Sequence, residues 1–249
     1  MRHYGSGVLW ATPTQDASGN APINPTPFQF GILQDVGIDI SYDEKLLYGR
    51  NSFPVDSGRG KGKIGLKAKF ANINALPFCA AFYGQSAVSG LITSVNDEIG
   101  QPAAAAVTVT PPVGKTFFAN LGVRSDANGT PMIRVATAPK SGEYTTDGNG
   151  AYVFSAADAG RLVFIDYQYM DSSAGQLLTV MNTPMGLTPT IKLDFSMERQ
   201  GKVQTLSYMR VTSSKLSMAT KQDDFMIPEL DMSAIADDNG KVYTWSMSE

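Results

Sequence analysis

Two amphipathic runs, and the long stretch of chain between them, constrain this sequence most. Val36, Ile38, Ile40 and Tyr42 alternate with Gly37, Asp39, Ser41 and Asp43. Further on, Ile64, Leu66, Ala68 and Phe70 alternate with Gly65, Lys67 and Lys69. A period of two places the apolar set on one face of a strand and the polar set on the other. Between the runs lie residues 44–63, EKLLYGRNSFPVDSGRGKGK, with four glycines and a proline. Hairpin loops usually take ~2–5 residues, so this stretch is expected to be a functional or disordered connection. Arg59, Lys61 and Lys63 sit among its glycines without interleaved aromatics for base stacking. Two readings stay open: a mobile, solvated loop, or a loop that gains order against an acidic surface of a neighbouring copy.

A helix is expected next, readable from its ends. Asn74 suits the N-cap, Pro77 falls in the first turn where its missing N–H costs nothing, and Gly84 suits a left-handed C-cap. Leu76, Cys79, Ala80 and Tyr83 fall at i, i+3, i+4 and i+7, which predicts one apolar face lying across a sheet.

The run VGIDISYDEKLLYGRNSFPVDSGRGKGKIGLKAKFANINALPFCAAFYG, from Val36 to Gly84, resembles the core of a tailed-bacteriophage tail tube protein, the major tail protein of long non-contractile tails. GVLW at 7–10 and a closing hairpin fit the same pattern. The resemblance spans about residues 1–90 and 185–249 and rests on order and pattern, since none of it is a catalytic motif. It implies a tail-tube-like β-sandwich or half-barrel with one flanking α-helix and an inserted small β module. Copies would assemble into hexameric rings, and rings would stack into a tube that conducts genomic DNA without specific binding. Partners would be further copies, the tape measure protein, the tail terminator and tail-tip or baseplate proteins; no cofactor and no reaction are expected. The chain would belong to the virion tail, and to the host cytoplasm during assembly. In that family the connection between the two strands makes subunit or ring contacts. Carried over, this marks Leu46, Tyr48, Arg50, Phe53, Arg59, Lys61 and Lys63. Asp39, Asp43, Asp194 and Glu198, on the polar side of their strands, become candidates to line the lumen with negative charge.

The composition agrees with strands and turns. Charged residues are 17% of the 249, below the ~25% of an average domain, and there are 24 glycines and 14 prolines. A net charge of −3 argues against a protein that grips nucleic acid by neutralising phosphates. No run approaches ~18 apolar residues, so no membrane insertion is expected. MRHYGSGVLW lacks the apolar segment of a signal peptide, which predicts a protein made and kept in a cytosol unless it leaves in a particle. Asn128-Gly129-Thr130 then reads as a turn and not a glycosylation site.

Three segments are expected: 1–90 as the first part of the core, 91–175 as an inserted β-rich module of small-sandwich type, and 176–249 as the second part. Strand candidates in the insert are 107–110, 132–137, 143–146, 151–154 and 162–169, divided by Pro-Pro, Asn-Gly-Thr-Pro, Lys-Ser-Gly and Asp-Gly-Asn-Gly turns. SAADAG at 155–160 reads as one helical turn between Ser155 and Gly160. The passage GEYTTDGNGAYVFSAADAGRLVFIDYQY resembles one that recurs in phage structural proteins. Beyond the insert, Ile191, Leu193, Phe195 and Met197 alternate with Lys192, Asp194, Ser196 and Glu198, and a strand over 203–211 follows Gly201. Leu230, Met232, Ala234 and Ala236 alternate before Asp238-Asn239-Gly240, which predicts a closing hairpin with 241–247.

Chemistry finds little support. His3 is the only histidine and Cys79 the only cysteine, which leaves no base for a nucleophilic triad, no set of zinc ligands and no internal disulfide. Cys79 reads as a small core residue. Gly114-Lys115-Thr116 imitates the end of a P-loop but has Val109 where glycine is required, and after Pro111-Pro112 it reads as a turn into a strand. Gly60, Gly62 and Gly65 match G-x-G-x-x-G yet lead into a strand, with no helix N-terminus to hold a pyrophosphate. Paired acids at Asp39/Asp43, Asp223/Asp224 and Asp237/Asp238 read as solvated faces and turns. The alternative function is a phage decoration or carbohydrate-binding module, for which Tyr144, Tyr152, Tyr167 and Tyr169 would form an exposed aromatic platform.

Overall fold

The structure, a computed structural model, describes residues 5–72, 74–96, 101–125, 129–182, 185–220 and 222–248. His3 and Asn128 lie outside the described residues. Strands take 56% of the chain and helix 5%, so the fold is mainly β with one helix, and the strands are antiparallel except where Ile133–Arg134 runs parallel to Glu143–Tyr144. The chain divides into two compact units, Met1–Ala87 with Leu178–Glu249, and Val88–Leu177.

The first unit holds β1 (Val8–Gln15), β2 (Phe28–Gln29), β3 (Leu33–Tyr48), β4 (Pro54–Phe70) and, after the second unit, β13 (Thr190–Arg199), β14 (Lys202–Ser217), β15 (Glu229–Ile235) and β16 (Tyr243–Met247). Its sheet runs β2-β1-β13-β14-β15-β4-β3, with β16 also on β14. The alternating residues lie where period two puts them: Ile64, Leu66, Ala68 and Phe70 are buried with Ile191, Leu193 and Phe195 in one core. Leu9, Tyr208, Leu230 and Met232 join them from neighbouring strands. Each such side chain contributes roughly 1.5–3 kcal/mol by leaving water.

The helix covers that face. Asn74 caps α1 (Ala75–Phe78) by accepting from the Leu76 N–H at 3.4 Å, and Pro77 is buried in the first turn. The chain then widens into a π turn (Cys79–Tyr83) that stops at Gly84, left-handed at φ 60° and donating its N–H to the Cys79 carbonyl. The extra residue per turn shifts the buried face away from the expected one. Pro77, Phe78, Cys79 and Ala81 are buried while Leu76 is 48% exposed. Phe30, Phe70 and Phe78 stack and meet edge-on with ring centroids 5.2–5.7 Å apart, pinning the helix to the sheet. Burial also pushes the Cys79 thiol above its ordinary pKa.

The connection between the two amphipathic runs is not a loop, contrary to the expectation from its glycines. β3 and β4 continue past the sheet as one antiparallel ladder, pairing Ser41 with Lys63, Tyr42 with Gly62, Glu44 with Arg59, Leu46 with Ser57 and Tyr48 with Pro54. Only 49–53 turn the chain. Gly62 serves packing here: a Cβ on it would lie 2.7 Å from the Tyr42 ring, which covers it from across the ladder. The Arg59 guanidinium stacks over the same ring, 4.2 Å from its centroid. Between Tyr42/Gly62 and Glu44/Arg59, β4 supplies one more residue than β3, a bulge that strengthens the twist of the pair.

The closing hairpin is corrected as well. β15 and β16 pair with β14 end to end: Arg210–Ser217 faces Ile235–Glu229, and Gln204–Tyr208 faces Met247–Tyr243. The Asn-Gly turn closes a small excursion at 236–242, held by Asp237, whose carboxylate accepts from the N–H groups of Asn239 at 2.9 Å and Lys241 at 2.7 Å.

The second unit contains β5 (Val88–Val95), β6 (Gln101–Pro102), β7 (Val107–Thr108), β8 (Thr116–Arg124), β9 (Ile133–Arg134), β10 (Glu143–Thr146), β11 (Ala151–Phe154) and β12 (Leu162–Leu177). One sheet runs β7-β11-β10-β9; in the other, β12 pairs with β5, β6 and β8. Both sheets give side chains to a single core that includes Val123, Tyr144, Tyr152, Phe154, Val163 and Ile165. β5 was not among the expected strands, β8 is the strand into which the turn at Gly114-Lys115-Thr116 leads, and β12 runs eight residues beyond its expected end at 169. The short helix Ala156–Asp158 is capped by Ser155 as its sequence predicts. Asp158 is buried, accepts from the Ser141 hydroxyl and the Gly142 N–H at 2.8 Å each, and pairs with Arg161 at 3.5 Å. Those donors, the Gly142 N–H foremost, hold its carboxyl below the usual carboxylate range.

Candidate functional site

From Asp39 to Lys63 every residue is exposed, although the backbone is paired throughout most of that length. A two-stranded ribbon is marginal by itself in water. This one is anchored because its strands continue from the part of β3 and β4 that lies in the sheet, where Leu33, Ile64, Leu66, Ala68 and Phe70 are buried. β15 pairs with β4 only from Ile64 to Lys69, so the ten residues of β4 from Pro54 to Lys63 project as an arm of roughly 30 Å, at about 3.3 Å per residue.

The arm places the seven expected contact residues in three groups. Leu46 and Arg59 lie on the face that continues from the core, together with Tyr42 and Glu44. Arg50 and Phe53 are at the tip, where Phe53 is 81% exposed, and Tyr48 leads into it. Lys61 falls in the bulge, and Lys63 faces Ser41 at the base of the arm. Leu47 and Val55, also exposed, belong to the same apolar end and were not among the residues carried over from the resemblance.

Asp39 and Asp43 share the face opposite the core, as alternation predicts, with Asp194 and Glu198 on the corresponding face of β13. That polar face carries charge of both signs. Lys192 pairs with Asp194 at 3.0 Å, and Lys67 lies between Glu229 and Asp231 at 3.8 and 3.7 Å. Cross-strand ion pairing of this kind follows from register, because Asp231 directly faces Lys67 and Glu229 faces Lys69.

At the other edge of the same sheet lies a groove of about 660 Å³, lined by Pro13, Ile23, Phe28, Leu76 and Ala80 among others. The shifted helix face creates it, since Leu76 points away from the core. Sequence periodicity gave no sign of the groove, because it assigned Leu76 and Ala80 to the buried side.

The aromatic platform is absent in the expected form. Tyr144, Tyr152 and Tyr167 are buried in the second unit's core, with Tyr152 at 0% exposure. Asn120 joins two of them, donating to the Tyr144 hydroxyl and accepting from that of Tyr152, each at 3.0 Å. Lys115 of the P-loop-like triplet pairs with the buried carboxylate of Asp171. Of the paired acids, Asp238 pairs with Arg210 at 3.1 Å and Asp224 accepts from the Phe225 N–H at 2.8 Å. Among the described residues there is no cluster of three or more His, Cys, Asp or Glu fit to hold a metal, and no helix long and apolar enough to cross a membrane. No protein-family model matches the chain, and no curated protein sequence matches it significantly.

Proposed function

We propose that this protein is a structural subunit of a phage tail tube, assembling into rings that stack around a channel for DNA. The observation that carries the reading is the arm: a paired, pre-shaped ribbon with an apolar end and no core of its own. Such a segment leaves Leu46, Leu47, Tyr48, Phe53 and Val55 in water in the isolated chain. Contact with another copy removes that exposed surface, and because the ribbon is already paired, little ordering entropy opposes the contact. The tail-tube resemblance supports the same role, since it covers β3, β4 and the helix.

On this reading the mixed polar face that carries Asp39, Asp43, Asp194 and Glu198 is the candidate lumen wall. Interspersed charge of both signs would let DNA pass without the run of cations that produces salt-sensitive binding. The tape measure protein would occupy the same channel before ejection, and terminator and tip proteins would close its ends.

The test is assembly. Residues 43–61 are replaced by Asn-Gly, joining the paired Tyr42 and Gly62 through a two-residue turn. Electron microscopy and sedimentation of the concentrated parent should give rings or tubes, and the variant a folded monomer. Tubes of normal appearance from the shortened variant would reject the arm as the assembly element.

A further inference from the structure

The apolar end of the arm and the groove lie at opposite edges of the first unit's sheet. β3 and β4 form one edge, while β1 and β2, with the chain between them and the helix beside them, form the other. Among the described residues no pairing of β2 with β3 closes this sheet on itself, so its two edges stay apart within one chain. Two copies can bring them together, and the contact they make is head to tail: a different patch on each partner, which generates a ring when the rotation closes and a filament when it does not.

We propose that the groove bounded by Ile23, Phe28, Leu76 and Ala80 receives the arm end of a second copy, with Phe53 as the anchoring side chain and Tyr48, Leu47 and Val55 around it. The inference rests on the ring reading above and adds the receiving surface. Volume agrees: a cavity of ~150 Å³ already accepts a benzene-sized ring, and the groove offers about 660 Å³. Area agrees as well. Aromatic side chains bury roughly 150–250 Å² each, so two aromatic and two aliphatic groups supply several hundred of the ~800 Å² that one partner gives to a standard interface. The chemistry is that of an interface centre, an aromatic anchor entering an apolar pocket. Reach agrees too, because an arm of roughly 30 Å projects past the point where β15 stops pairing with β4.

Two populations of the full chain are prepared, one carrying Ser52→Cys beside the anchor and the other Ser86→Cys in the groove lining, so that Phe53 and Leu76 are both kept; the native Cys79 is buried. Mixed under assembly conditions and treated with a short bismaleimide, they should give a covalent dimer that neither population gives alone. Separately, Leu76→Glu changes a side chain that is 48% exposed and outside the core, so the fold is retained while the groove becomes charged. Self-association of that variant should weaken at least ~tenfold by sedimentation, with an unchanged circular dichroism spectrum. Rings or tubes that form with no mixed cross-link, or that form normally from Leu76→Glu, would overturn the groove as receiver and leave the ring reading standing. If the parent never assembles at any concentration tested, the ring reading fails and the inference fails with it.

Discussion

The two units handle polar and apolar groups in opposite ways. The second closes two sheets over one core and satisfies the polar atoms it buries: Asn120 serves two tyrosine hydroxyls, and Asp158 is met by Ser141, Gly142 and Arg161. The first builds one broad sheet, covers one face with a single short helix, leaves the other face polar and sends an arm into solvent. Its buried Tyr208 hydroxyl has no hydrogen-bond partner among the described residues. One unit is complete by itself. The other carries surface that is useful only against something else.

The largest expected effect lies in the self-contained unit. Tyr152→Ala removes a fully buried ring and its bond to Asn120 and should cost about 4 kcal/mol, measured by denaturant unfolding of Val88–Leu177 expressed alone. A unit that tolerated it would not be closed around that ring. Asp158→Ala should cost about 2–3 kcal/mol there, through the loss of bonds to an ionised acceptor. Its carboxyl is held below its unfolded value, so the stabilisation is present above the ordinary carboxylate range and is lost as pH falls through the lower folded value. Asp158→Asn should flatten the acid limb of the stability curve.

A smaller pair of effects compares the two cores directly. Tyr152→Phe leaves Asn120 without its donor and should destabilise by about 1–2 kcal/mol, whereas Tyr208→Phe should be neutral or stabilise by up to about 1 kcal/mol. Equal signs in thermal melts would erase the distinction between a satisfied and an unsatisfied interior. Burial pushes the Tyr208 phenol up to about 12, so its absorbance should titrate later than that of an exposed tyrosine. The smallest expected effect on stability is at the arm: Phe53→Ser should change unfolding by less than about 0.5 kcal/mol, as exposed sites do. A large loss would mean that the tip is packed within the isolated chain.

The parts legible in sequence were those with strict periodicity. Ile64 to Phe70 and Ile191 to Phe195 announced the core face because alternate residues had to be buried together. The short strands Glu143–Thr146 and Ala151–Phe154 were readable from their turns, as was the Ser155 cap. The arm was not legible, because glycine weakens strands on average and four of them suggested a loop. At Gly62 the residue instead makes room for the ring of Tyr42, a relation between partners twenty residues apart. The helix face was misplaced because a π turn breaks the 3.6 period from which it was inferred. Asn-Gly misled for a related reason: it forms a turn, but a turn need not return the chain along its own preceding strand.

That last turn has a further consequence. β15 and β16 each hold to β14 through their own register, with 236–242 bowed out between them. The bowed segment is a self-closed turn, with the Asp237 N–H donating to the Lys241 carbonyl at 2.8 Å, and its tip lies outside both ladders. A peptide spliced between Asp238 and Gly240 would lengthen the bow without sliding either ladder, so every copy could carry foreign cargo there while keeping its sheet intact.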